Sequence, residues 1–161
     1  MYDSVGTGDE YSHSIILKLY LKEKPCTITV KKNIDTAPEG FGEATFIFKV
    51  SGIEHTDYTR IDYTKSISLS ELNKSGEVSF TVPRGEYTVE EIDTLRYEIS
   101  EKEATAKGEY ASTVTVDQNM LSVIFNQGGG EAEFEITNKL SNYGKRSYSD
   151  SRVNRITIPT S

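Results

Sequence analysis

The sequence predicts an all-β protein whose strands form a β-sandwich. The 161 residues include 10 Val, 14 Ile and 17 Thr, but only 6 Ala and 8 Leu. β-Branched side chains favour strands, whereas Ala and Leu lead the helix-propensity scales. Apolar and polar residues alternate over several short segments, and turn-forming residues separate those segments. Seven or eight short strands of this kind are typical of a sandwich.

The predicted strands follow the alternation of apolar residues along the chain. In order, they are Ile15–Leu21, Cys26–Lys32, Ala44–Val50, Glu77–Val82, Tyr87–Ile92, Thr113–Val116, Leu121–Phe125 and Ala132–Asn138. Turn signals lie at residues 36–40, 73–76, 83–85 and 128–130, and the last of these, a triple glycine, is expected in a hairpin. One helix-like segment, Ser68–Leu72, is too short to form a layer of its own.

Composition changes at both ends of the chain predict three parts. The compact unit is expected over residues 26–140. Residues 1–25 form an N-terminal extension that can add one strand at Ile15–Leu21. Residues 141–161 form a basic C-terminal extension in which Ile156 and Ile158 can add another.

Charge and cysteine content exclude several classes of function. The net charge of −7, with lysine and arginine scattered, disfavours binding to nucleic acid or to an anionic membrane surface. One cysteine, Cys26, cannot form an internal disulfide and is expected to face the core. His13 and His55 are far apart, and the triple glycine lacks the lysine and helix of a phosphate-binding loop. We therefore predict no metal and no cofactor.

Three polar residues continue the apolar faces of predicted strands. Residues two apart in a strand share a face. Lys32 follows Ile28 and Val30, Glu91 follows Tyr87 and Val89, and Asn138 follows Phe134 and Ile136. Lys31 and Glu90, by the same periodicity, point to solvent.

These inward positions have two interpretations. Strand ends fray, so each residue alone fits a solvated rim. If the residues are buried together, the lysine and glutamate must pair or become neutral, because burying an unpaired charge costs several kcal/mol or more. A neutral lysine amine is a nucleophile, and a protonated carboxyl group can hydrogen-bond the carbonyl oxygen of the asparagine amide and make its carbon electrophilic.

Three segments resemble motifs of Gram-positive pilin isopeptide-linkage domains, which are relatives of the collagen-adhesin B-type (Cna-B) modules. They are residues 28–35 around Lys32, residues 82–91 ending at Glu91, and residues 134–139 around Asn138. The resemblance covers about residues 26–140 and keeps the family's order. It implies an immunoglobulin-like sandwich of about seven to nine strands.

The resemblance also implies a function. Lys32 and Asn138 would join through an intramolecular amide with Glu91 as internal catalyst, a single self-modification without enzymatic turnover. The chain would be a structural module of a Gram-positive surface pilus or adhesin stalk, located at the cell surface or cell wall. Its partners would be other pilus or surface-protein subunits.

Targeting segments of a complete pilin are not evident in this sequence. Residues 2–14 are polar and show no signal-peptide pattern, and residues 158–161 lack the spacing of a Leu-Pro-x-Thr-Gly sorting signal. The surface location is therefore an expectation from the resemblance.

Two other functions stay open at this level. One is a ligand-binding sandwich that recognises host protein or glycan through tyrosines in or near loops, particularly within residues 52–66. Those tyrosines are Tyr58, Tyr63, Tyr97, Tyr110, Tyr143 and Tyr148. The other is a structural sandwich without any cross-link.

Overall fold

Nine strands make up about two thirds of the described residues. The computed structural model describes residues 22–36, 43–92 and 96–141. The strands are β1 (Cys26–Ile34), β2 (Ala44–Glu54), β3 (Arg60–Leu69), β4 (Ser75–Val82), β5 (Gly85–Ile92), β6 (Tyr97–Lys107), β7 (Val114–Asp117), β8 (Ser122–Phe125) and β9 (Glu131–Leu140). Within these residues, no helix is long and apolar enough to cross a membrane.

The strands form two sheets that enclose one core. A four-stranded sheet has the order β4-β1-β9-β6, and a five-stranded sheet has the order β3-β2-β5-β8-β7. Inward side chains of both sheets build the core, with Ile28 and Phe134 from the first sheet and Phe48 and Phe125 from the second, all fully buried. The protein is therefore an all-β, immunoglobulin-like sandwich, as the sequence predicts.

Alternation sets which side chains enter the core. In β1, every second residue from Cys26 to Ile34 is buried, and β9 alternates in the same way from Ala132 to Asn138. The prediction that Cys26 faces the core is confirmed: its side chain is buried, and its thiol donates to the main-chain carbonyl of Gln127 at 3.4 Å.

The first and last described strands are neighbours and run parallel. Thr27 lies opposite Glu131 at one end of the pair, and Ile34 lies opposite Asn138 at the other. The remaining strand pairs in both sheets are antiparallel. Because β1 and β9 point the same way, Cys26 and Leu140 lie at opposite ends of the four-stranded sheet.

Two strands, β3 and β6, were not predicted from the sequence, and the helix-like segment Ser68–Leu72 does not form a helix. β3 and β6 are edge strands whose residues are mostly exposed, so they lack a continuous apolar face. Ser68 and Leu69 end β3, and the residues that follow form a bend. The strands predicted at residues 15–21 and around Ile156 and Ile158 lie outside the described residues.

The triple glycine does not form a hairpin. It connects β8 in one sheet to β9 in the other, and it holds the segment that precedes β1. The Gly128 N–H donates to Glu23 Oε1 at 3.0 Å, and the Gly129 N–H donates to the Lys24 carbonyl at 2.9 Å. A Cβ at position 128 would lie 2.5 Å from the main-chain oxygen of Lys24, so the close approach requires glycine.

Candidate functional site

Three strands from both sheets bring one lysine, one glutamate and one asparagine together. Lys32 lies on β1 and Asn138 on β9, which are adjacent in the four-stranded sheet. Glu91 lies on β5, in the facing sheet. The glutamate therefore reaches across the sandwich to meet two side chains from the opposite layer.

The register of β1 and β9 places the lysine beside the asparagine. Lys32 pairs with Ile136, so Asn138 lies two residues further along the neighbouring strand and on the same inner face. Diagonal neighbours of this kind lie within reach of long side chains. The periodicity of each strand thus directs both groups into the same part of the core.

The Glu91 carboxylate bridges the other two side chains. Its Oε2 lies 2.8 Å from Lys32 Nζ, and its Oε1 accepts a hydrogen bond of 2.5 Å from Asn138 Nδ2. The side chains of Lys32 and Glu91 are 0% and 4% exposed, and Asn138 is 1% exposed. The cluster is a buried ion pair with an amide attached to it.

The amide of Asn138 presents its nitrogen to Glu91 and leaves its oxygen unpaired. An ionised carboxylate only accepts hydrogen bonds, so the NH₂ side of the amide is the side that can face it. Among the described residues, the buried Asn138 Oδ1 has no hydrogen-bond partner. The sequence-based hypothesis had the Glu91 carboxyl group facing this oxygen, whereas the structure places the amide nitrogen there.

An aromatic wall lies against the lysine. Lys32 Nζ lies 4.7 Å from the centroid of the Phe46 ring, which packs edge-on against the Tyr97 ring at 5.2 Å. Burial lowers the pKa of Lys32 to about 8, although the Glu91 carboxylate opposes this change. Near neutral pH, the neutral amine is therefore far more populated than at an ordinary lysine pKa.

The facing directions predicted for the three residues are confirmed, and a solvated rim is wrong for them. Lys31 points outward and pairs with Glu133 at 3.0 Å, and Glu90 is exposed. Tyr97, expected in or near a loop, is the first residue of β6, but its side chain is buried and packs on Phe46 instead of being available to a ligand.

The predicted tyrosine-bearing loop is only partly a loop. Residues 52–54 finish β2, and Tyr63 belongs to β3. A groove of about 570 Å³ on the five-stranded sheet is lined by Tyr58 and Met120, which are 77% and 69% exposed. Among the described loop tyrosines, only Tyr58 lines this groove. Tyr143 and Tyr148 lie outside the described residues.

The fold and the cluster together define an immunoglobulin-like sandwich with a buried Lys-Glu-Asn site that joins its two sheets. No family model matches the sequence, and no curated protein is significantly similar to it.

Proposed function

We propose that this chain is a structural module of a Gram-positive surface pilus or adhesin stalk, stabilised by an autocatalytic amide bond between Lys32 and Asn138. The observation that carries the proposal is the Glu91 carboxylate, which contacts the lysine amine and the asparagine amide at once inside the core. The stability of the core does not require such a cluster, because well-packed apolar side chains at the same positions are often as stabilising as a buried ion pair.

The reaction begins with a proton transfer within the ion pair. Lys32 passes a proton to Glu91, which gives a neutral amine and a neutral carboxylic acid. The amine nitrogen attacks Asn138 Cγ, and the electron pair of the C=O π bond moves onto Oδ1. Glu91 takes the proton that the attacking nitrogen loses and donates one to Nδ2, so the Cγ–Nδ2 bond breaks and ammonia leaves. The electron pair returns to the carbonyl, and one amide has replaced another.

Folding supplies the rate enhancement. Glu91 contacts both Lys32 and Asn138, so the three strands hold the reacting groups at one carboxylate. Well-oriented intramolecular reactions reach effective molarities of about 10⁵–10⁸ M. Glu91 lies beside the leaving nitrogen, which suits its role as a proton donor to that atom. The step happens once per chain, so it is self-modification rather than enzymatic turnover.

The strand arrangement supports a stalk in preference to a binding module. The described sandwich begins and ends at opposite ends of one sheet, which suits a unit placed in a linear array. Tyrosines converging on one concave surface would have favoured recognition of host protein or glycan, but only Tyr58 of the described loop tyrosines lines the groove.

Intact mass under denaturing conditions tests the proposal. We expect the wild-type chain to be one ammonia lighter than its sequence, and fragmentation should yield a branched peptide joining the segments of Lys32 and Asn138. Lys32→Arg should restore the full mass. The matched control is Lys31→Arg, since Lys31 is the adjacent residue but points outward. A wild-type chain of unmodified mass would refute the cross-link.

The rate of linkage should depend on pH in a defined way. The reactive amine and carboxylic acid carry together one ionisable proton, as the ion pair does, so the rate should be flat between about pH 6 and the Lys32 pKa of about 8. Above that pH the pair loses this proton, and the rate should fall about tenfold per pH unit. Chemically synthesised chains that have never folded, diluted from denaturant into buffers of different pH and quenched in acid, give the rates by mass. A rate that rises through pH 8 would contradict this mechanism.

A further inference from the structure

Two buried polar atoms near the cluster lack hydrogen bonds. Within the part of the chain that the structure describes, neither Asn138 Oδ1 nor the Tyr97 hydroxyl has a partner. One is an acceptor and the other carries a proton to donate. Unsatisfied buried groups are costly, so two complementary ones in the same region call for a physical explanation.

The strand register places the two groups on neighbouring strands. β6 pairs with β9 so that Ile99 lies opposite Asn138 and Tyr97 lies opposite Leu140. Tyr97 is therefore diagonal to Asn138, a separation that an aromatic side chain can span. The Tyr97 ring also packs on Phe46, the same ring that contacts the Lys32 amine.

The Asn138 oxygen is the atom where negative charge develops in the proposed reaction. Glu91 is engaged with the lysine amine and the amide nitrogen, so it gives no hydrogen bond to this oxygen in the resting arrangement. Acyl transfer is accelerated when a preorganised donor stabilises the oxyanion. Lys32, Glu91 and Asn138 alone therefore provide no hydrogen-bond donor to this oxygen.

We propose that the Tyr97 hydroxyl donates a hydrogen bond to Asn138 Oδ1 as the C=O electron pair moves onto that oxygen, and so acts as the oxyanion donor of the linkage reaction. This role rests on the proposed function and adds a fourth participant to it. Tyr97 keeps its proton throughout, and the bond weakens when the electron pair returns to the new amide. Burial raises the pKa of Tyr97, which keeps the hydroxyl protonated.

Tyr97→Phe tests this role because it removes the hydroxyl and keeps the ring. Linkage should slow by roughly 10²-fold, the scale of losing one oxyanion donor. The matched control is Tyr87→Phe, which also removes a buried hydroxyl, here one that donates to the Pro83 carbonyl at 3.1 Å. That control should link at the wild-type rate. Rates come from the mass of chemically synthesised chains that have never folded, which are diluted from denaturant into buffer and quenched at successive times.

Stability separates a chemical role from a packing role. In the unlinkable Asn138→Ala background, Tyr97→Phe should leave the denaturation midpoint unchanged or raised, since it removes an unpaired hydroxyl. Tyr87→Phe should lower the midpoint, since it breaks a hydrogen bond.

Each outcome is decisive. Slow linkage in Tyr97→Phe alone, with its midpoint preserved, supports the oxyanion role. Linkage at the wild-type rate in Tyr97→Phe overturns that role and leaves the cross-link standing. Slow linkage in both variants assigns the effect to packing and also overturns it. A wild-type chain that never loses ammonia refutes the cross-link itself.

Discussion

Glu91→Gln is expected to abolish linkage and to cause the largest loss of stability of any single isosteric change in the cluster. Glutamine cannot accept the lysine proton or return one to the leaving nitrogen, so the chain should keep its full mass. Two losses then add. A cross-link closing a loop of about 100 residues is worth roughly 4.7 kcal/mol in the chain-entropy model. Leaving a buried lysine without its counter-charge costs a further 3–5 kcal/mol or so.

The free energy of unfolding, from denaturant titration, measures the combined loss, which should exceed about 5 kcal/mol. Glu90→Gln is the matched control, because Glu90 is adjacent but exposed, and its effect should stay within about 0.5 kcal/mol. Asn138→Ala separates the two losses, since it prevents linkage and keeps the Lys32–Glu91 pair. If Glu91→Gln were still one ammonia lighter than its sequence, Glu91 would not be the catalyst.

A pull on the two ends of the chain is expected to leave the wild-type sandwich almost unextended. Force applied before Cys26 travels along β1 to Lys32, crosses the amide to Asn138 and leaves along the end of β9. The residues between the two linked positions lie outside this path. In Asn138→Ala the same residues can extend, which adds on the order of 350 Å at about 3.3–3.6 Å per residue.

Single-molecule stretching of the full chain, held by handles at its termini, measures this difference directly. Thr137→Ala is the control, because Thr137 precedes Asn138 on β9 and lies opposite Asn33 on the outer face. It should extend as little as wild type. If a wild-type chain whose mass shows the linkage extended as far as Asn138→Ala, the amide bond would not lie in the path of the force.

The sequence located the polar cluster because strand periodicity is a local property. Lys32, Glu91 and Asn138 each continue an apolar face within one short segment, so their inward direction follows from residues two and four positions away. Their mutual contact is not local, because it depends on β1 pairing with β9 and on β5 packing opposite them. No single segment of the sequence determines those strand pairings. The three residues were expected to meet because their segments resemble motifs of isopeptide-linkage domains.

The missed elements share a physical cause. β3 and β6 are sheet edges, where solvent contacts most side chains and the selection for apolar alternation is weak. Tyr97 belongs to β6, so missing the strand also hid its position beside the cluster. The orientation of the Asn138 amide was also out of reach, because it depends on the ionisation of a partner in the facing sheet.

The reacting residues come from the first, a middle and the last strand of the described sandwich. Under the proposed reaction, no amide can form until both sheets have assembled and β9 has taken its place beside β1. A linked chain thus carries a permanent record that it once reached the native state. Chains that misfold stay unmarked, and a protease that samples open forms can remove them while their finished counterparts persist.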